Sequence, residues 1–133
     1  MEKLRLVSYA KEIEVNDNGD TILLQVEDQA IPRKLKKLVK TLEAKAKELE
    51  GLDDEADIDI IEDKNYEMNL LAKAAIDDTF GADTCKKVFG DIVPPIEKYI
   101  EFIEAITPYF EAYAKERAQK LTKYSANRVG SSI

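Results

Sequence analysis

From Ile96 to Tyr124 the chain carries apolar side chains at helical spacing, and this run limits its architecture more than any other feature. Pro94-Pro95 opens it, and Ile96, Tyr99, Ile100, Ile103, Ile106, Phe110 and Tyr113 recur on a helical period. Pro108 falls inside the pattern. It removes one backbone hydrogen bond, so a kink or a split is expected near residues 105–107. The helix then continues through Lys115, Glu116 and Arg117 to about Tyr124. Residues 125–133 are small and polar and include Gly130, which fits a flexible C-terminal tail.

Upstream the same period appears in shorter pieces. Pro32 suits a first helical turn, where its missing N–H does no harm. Leu35, Leu38, Val39, Leu42, Ala46 and Leu49 then form one apolar stripe, and Gly51 is a natural stop. A further helix is expected from about Asp63, as N-cap, to Thr79, with Tyr66, Leu70, Ala74 and Ile76 inside. Phe80-Gly81 ends it, and a short helix from about Asp83 to Phe89 stops at Gly90. Between the first two helices lies an acidic connector, residues 50–63. Ile58 and Ile60 alternate with acids there, which suits an edge strand as well as a flexible loop.

Residues 4–30 have the other period. Lys11-Glu12-Ile13-Glu14-Val15 alternates polar and apolar, and Thr21-Ile22-Leu23-Leu24-Gln25-Val26 returns after Asn16-Asp17-Asn18-Gly19-Asp20. Asn-Gly between two such runs is the strongest short hairpin signal. An isolated hairpin is marginal in water, so this one must pack on the helices. The expected fold is therefore α+β but mostly α. An N-terminal β-hairpin (4–30) leads into about four helices, the last long and kinked at Pro108, in one domain over residues 1–124. The 133 residues, 44% apolar and 35% charged, suffice for one core with well-solvated outer faces.

The net charge is −7 and it is unevenly placed. Residues 1–52 hold ten basic and ten acidic side chains. Residues 53–112 hold five basic against sixteen acidic, and residues 113–133 hold five against one. An acidic middle beside a basic end suits self-association or a basic partner, but a solvated acidic face is the simpler reading. Overall acidity argues against nucleic acid and against anionic membranes. The Lys-rich first helix has no interleaved aromatic, so stacking on RNA bases is missing. No stretch approaches the ~18 consecutive apolar residues of a membrane span. The start Met1-Glu2-Lys3-Leu4-Arg5 lacks the apolar core of a signal peptide. A protein that works where it is made is expected.

Catalytic and metal chemistry is looked for and not found. One cysteine, Cys85, and no histidine exclude a Cys–His pair and a zinc ligand set. Lys86 and Lys87 could lower the thiol pKa somewhat, but a small buried residue is the simpler reading. Asp53, Glu55 and Asp57 have the alternate spacing of an EF-hand loop. The turn glycine would be Ile58, however, and the closing glutamate would be Lys64. Nothing local marks a cleft around the carboxylate pair Asp77-Asp78, and solvation at a helix end is its default reading. No glycine-rich phosphate loop is present. No cofactor is expected, and the chain reads as a binding protein, not an enzyme. Of the aromatics Tyr99, Phe102, Tyr109, Phe110 and Tyr113, not all fall on one face, so some must reach the surface or a subunit contact. Tyr109, Phe110, Tyr113 and Arg117 are the candidate interaction residues.

The order of these pieces resembles a known family. The hairpin with Glu14-Val15-Asn16-Asp17-Asn18-Gly19-Asp20 leads to Ile31-Pro32, an acidic linker and a helix. Then comes Ile76-Asp77-Asp78-Thr79-Phe80-Gly81-Ala82-Asp83-Thr84-Cys85-Lys86-Lys87-Val88-Phe89-Gly90-Asp91, followed by Tyr99-Ile100-Glu101-Phe102-Ile103-Glu104. This is similar to the small tail assembly chaperone-like proteins of phages and prophages of Gram-positive bacteria, over most of residues 12–114. The resemblance implies a non-enzymatic protein of the host cytoplasm, absent from the finished virion. It would bind the tape measure protein and aid loading of tail tube protein. Phe80, Gly81, Phe89 and Gly90 would be fold determinants. A homo-oligomer is compatible with it. The alternative is a general helical interaction or structural module, such as a small virion component or regulatory subunit.

Overall fold

The computed structural model describes residues 1–52 and 57–131. Strands β1 (Lys11–Glu14) and β2 (Thr21–Leu24) form an antiparallel hairpin, and four helices follow: α1 (Ala30–Glu50), α2 (Ile58–Phe80), α3 (Thr84–Phe89) and α4 (Ile96–Ser131). The expected α+β, mostly helical order is observed. Both strands are shorter than the alternation suggested, because the ladder ends at Leu24, before Val26, and residues 1–10 form no strand.

The hairpin turn depends on Asn16. Its Oδ1 accepts the backbone N–H of Asn18 at 2.9 Å and of Asp20 at 3.2 Å, and its Nδ2 donates to Asp20 Oδ2 at 2.8 Å. A two-residue turn of the Asn-Gly type needs two positive φ angles. Only Gly19 has one here, +84°, so the loop closes over residues 16–19, with the Val15 N–H donating to the Asp20 carbonyl. Period 2 then decides the faces: Ile22, Leu24 and Val26 are buried while Leu23 stays exposed. The hairpin is also tied to α3. Asn16 Nδ2 donates to the Lys87 carbonyl at 2.9 Å, and Lys87 Nζ donates to the Thr21 carbonyl at 3.1 Å.

Helix α2 is the hub, packing against α1, α3, α4 and β2. Its buried face is Met68, Ala72 and Ile76. Of the positions expected inside, only Ile76 is; Tyr66, Leu70 and Ala74 are exposed. The difference is one of phase. This helix has apolar residues on several sides, and only contact with its neighbours selects the face to bury. It also starts earlier than expected, at Ile58, so Asp63 lies within the helix and is not its cap. Asp59 falls in the first turn, where a negative charge favours the helix dipole. The stretch read as an edge strand or loop is thus partly helix, while residues 53–56 lie outside the described residues.

The Phe-Gly pairs end α2 and α3. Phe80 and Phe89 are half-buried against the core, and their rings meet Phe102 and Tyr99 edge-on at 5.6 and 5.2 Å. Gly81 (φ 128, ψ 148) and Gly90 (φ 82, ψ −161) have positive φ. They adopt not the left-handed helical conformation usual for a glycine that ends a helix but the mirror-extended region, which excludes side chains more strictly. Gly51, by contrast, ends α1 with an ordinary φ of −79°. Helix α4 runs through Pro108 without being split and continues to Ser131, into the stretch expected to be a flexible tail. No proline occurs after Pro108, and a helix already formed extends at low cost until something stops it.

Candidate protein-binding groove

The apolar stripe of α1 is wider than the core it serves. Leu38 and Leu42 are buried and Leu35 and Leu49 half-buried, but Val39 is 37% exposed and Ala46 is exposed as well. Helix α4 divides in the same way. Tyr99, Phe102 and Ile106 enter the core, whereas Ile96, Ile103 and Phe110 are half-buried and Ile100 is 43% exposed. Both helices pack more closely on α2 than on each other. The leftover apolar side chains therefore line a trough between them.

At one end of the trough lie Pro32, Leu35 and Val39 of α1 opposite Ile103, Phe110 and Ala114 of α4. At the other, Val39, Leu42 and Ala46 face Ile96, Ile100 and Ile103, with Met68 of α2 between them. The two stretches share Val39, Glu43 and Ile103, so the trough is continuous, and α1 and α4 flank it in antiparallel sense. Lys36, Lys40, Glu43, Glu104 and Glu111 stand on its rims. An elongated, two-walled apolar groove with charged edges is the shape that receives an amphipathic helix.

The four candidate interaction residues do not form one patch. Phe110 lines the groove. Tyr113 turns the other way and packs on Tyr9, ring centroids 5.6 Å apart, where Lys120 Nζ also sits 4.1 Å from the Tyr9 ring. Tyr109 is exposed outside the groove, and Arg117 lies on the part of α4 beyond Tyr113, where all described side chains are exposed. Neighbours in sequence are about 100° apart on a helix, so a run of aromatics cannot share a face. Val39, Ala46, Ile96, Ile100 and Ile103, read in the sequence as core stripe, are the wall residues that went unrecognised. An unusually broad stripe on α1 was the available signal.

Elsewhere the reactive groups are locked in the fold. Cys85 is buried, and its backbone N–H donates to Asp77 Oδ1 at 2.8 Å, so Asp77 anchors the first turn of α3. Burial first, then the charge of Asp77 and a hydrogen bond to it, push the thiol up to about 12, while Lys73 offsets this slightly. The expected lowering by Lys86 and Lys87 does not occur. Lys86 reaches toward Asp91, and Lys87 serves the hairpin. A thiol so raised is not a nucleophile near neutral pH. Tyr99, fully buried with an unpartnered hydroxyl, is also pushed up to about 12, chiefly by burial. Asp78 forms an exposed ion pair with Lys34 at 3.6 Å. Among the described residues no group of three or more Cys, Asp or Glu side chains could hold a metal ion, and no helix is long and apolar enough to cross a membrane.

The model of a family of unknown function, DUF6673, matches residues 18–131, which include β2 and both walls of the groove. No curated protein and no solved structure matches the chain.

Proposed function

We propose that this chain, which belongs to the family of unknown function DUF6673, is a non-enzymatic tail assembly chaperone of the phage type that holds a helix of the tape measure protein in the groove between α1 and α4. The unpartnered apolar groove carries this reading. Val39, Ile100 and Phe110 leave water only if something else covers them, and a helix of matching stripe would do so. The resemblance in the order of hairpin, Pro-started helix and Phe-Gly pairs supplies the partner. A tape measure protein is a long helical chain that needs shielding until tail tube protein surrounds it. The buried thiol and the anchored Asp77 support the absence of catalysis.

Co-expression with a candidate tape measure protein tests it. The two should co-purify, and Val39→Glu with Ile100→Glu should abolish this while leaving the melting temperature nearly unchanged, since both positions are exposed. Absence of co-purification by the unaltered chain rejects the tape measure protein as partner. Co-purification that survives both substitutions moves the site elsewhere.

A further inference from the structure

The charges on the groove rims are not symmetrical, and their arrangement constrains the partner. At the end near Pro32 and Phe110 the α1 rim carries Lys36 and Lys40, and the α4 rim carries Glu111. Toward Ala46 and Ile100 both rims are acidic, with Glu43 on one side and Glu104 on the other. Among the described residues none of these five has an ion-pair partner. They stand along an apolar floor, none of them held in an ion pair.

We infer that the groove selects an amphipathic helix that is basic along both flanks of its apolar stripe except at one end, where the flank facing α1 is acidic. The inference rests on the groove being the partner site and adds which helix fits and in which direction. Basic side chains would meet Glu43, Glu104 and Glu111, and acidic ones Lys36 and Lys40. Because the two ends of the groove differ, a helix laid in backwards, with its apolar stripe still on the floor, places its acids against Glu104 and its bases against the lysines. Like charges brought together at a rim suppress that arrangement. The floor from Ile96 to Ala114 corresponds to a helix of about 18 residues.

Three synthetic peptides of about that length separate the possibilities. All carry leucines at helical spacing; one has lysine on both flanks. The other two replace two of those lysines with glutamate in the N-terminal half, on one flank or on the other, so they share composition and net charge. Calorimetric titration at low salt should show one glutamate isomer binding roughly fivefold more tightly than the other, as two rim ion pairs of modest strength would give. The difference should shrink at high salt. Lys36→Glu with Lys40→Glu should erase it and make the all-lysine peptide the tightest. Equal binding of the two isomers, or no response to the charge reversal, overturns the charge selection while leaving the groove as partner site. If none of the peptides binds, or all bind the Val39→Glu, Ile100→Glu chain unchanged, the groove reading itself fails and the inference with it. A free chain that sediments as a dimer broken by those two substitutions would instead assign the groove to a second copy and overturn the inference.

Discussion

The two sides of α2 are built from similar material and end in opposite states. On the side of the hairpin and α3, the inward-facing apolar groups find partners. Phe89 and Phe80 meet Tyr99 and Phe102, Ile22 and Leu24 are covered, and Asn16 and Lys87 tie hairpin to helix by two hydrogen bonds. Between α1 and α4, an apolar stripe stays half-covered because the two helices pack more closely on α2 than on each other. The closed side should therefore hold the stability and the open side the recognition. Apolar groups stabilise a fold only to the extent that folding itself removes them from water.

The largest effect that could break this contrast is a pair of truncations. Phe89→Ala should cost on the order of 3 kcal/mol, through lost burial and a cavity beside Tyr99. Val39→Ala in the groove should cost less than about 0.5 kcal/mol, as for an ordinary surface site. Urea unfolding of both variants measures it, and comparable losses would erase the distinction between the two sides.

A pH effect confined to the closed side sharpens the comparison. In the unfolded chain the Cys85 thiol loses its proton near 9.0, whereas in the folded chain it holds it to about 12; Tyr99 behaves alike between 10.0 and about 12. Across that window the unfolded chain binds fewer protons, so stability is complete below pH 9 and falls as pH rises toward 12. Thermal melts at pH 8 and pH 10.5 should show the drop, and Cys85→Ala should lessen it. A Cys85→Ala chain with an unaltered alkaline slope would mean that the thiol is not held as described.

The smallest effect concerns the far end of α4. From Ala114 to residue 126 all side chains are exposed, and the contact of Lys120 with the Tyr9 ring is a surface cation–π pair. Removing residues 115–133 should leave the chain folded, with a loss of about 1 kcal/mol or less. Circular dichroism and a melt would check this. An unfolded truncated chain would show that α4 beyond the core is part of the closed side after all.

The sequence by itself determined the elements. Asn18-Gly19, Pro32, Pro94-Pro95 and the two Phe-Gly pairs each act on the few residues around them, through φ restrictions and a missing N–H, so they could be read without knowing the fold. The hairpin, the number of helices and the need for glycine at 81 and 90 followed from them. Tertiary structure decided which apolar residues are buried. Met68 and Ala72 face the core instead of Tyr66 and Leu70, and Val39 and Ile100 are left in a groove, because α1 and α4 pack more closely on α2 than on each other. It also decided that Cys85 is inert, since burial beside Asp77 outweighs the two lysines adjacent to it in sequence. A stripe on one helix states only that something apolar belongs against it. Whether that is the chain's own core or another molecule depends on where the remaining helices lie, and no local pattern encodes their placement.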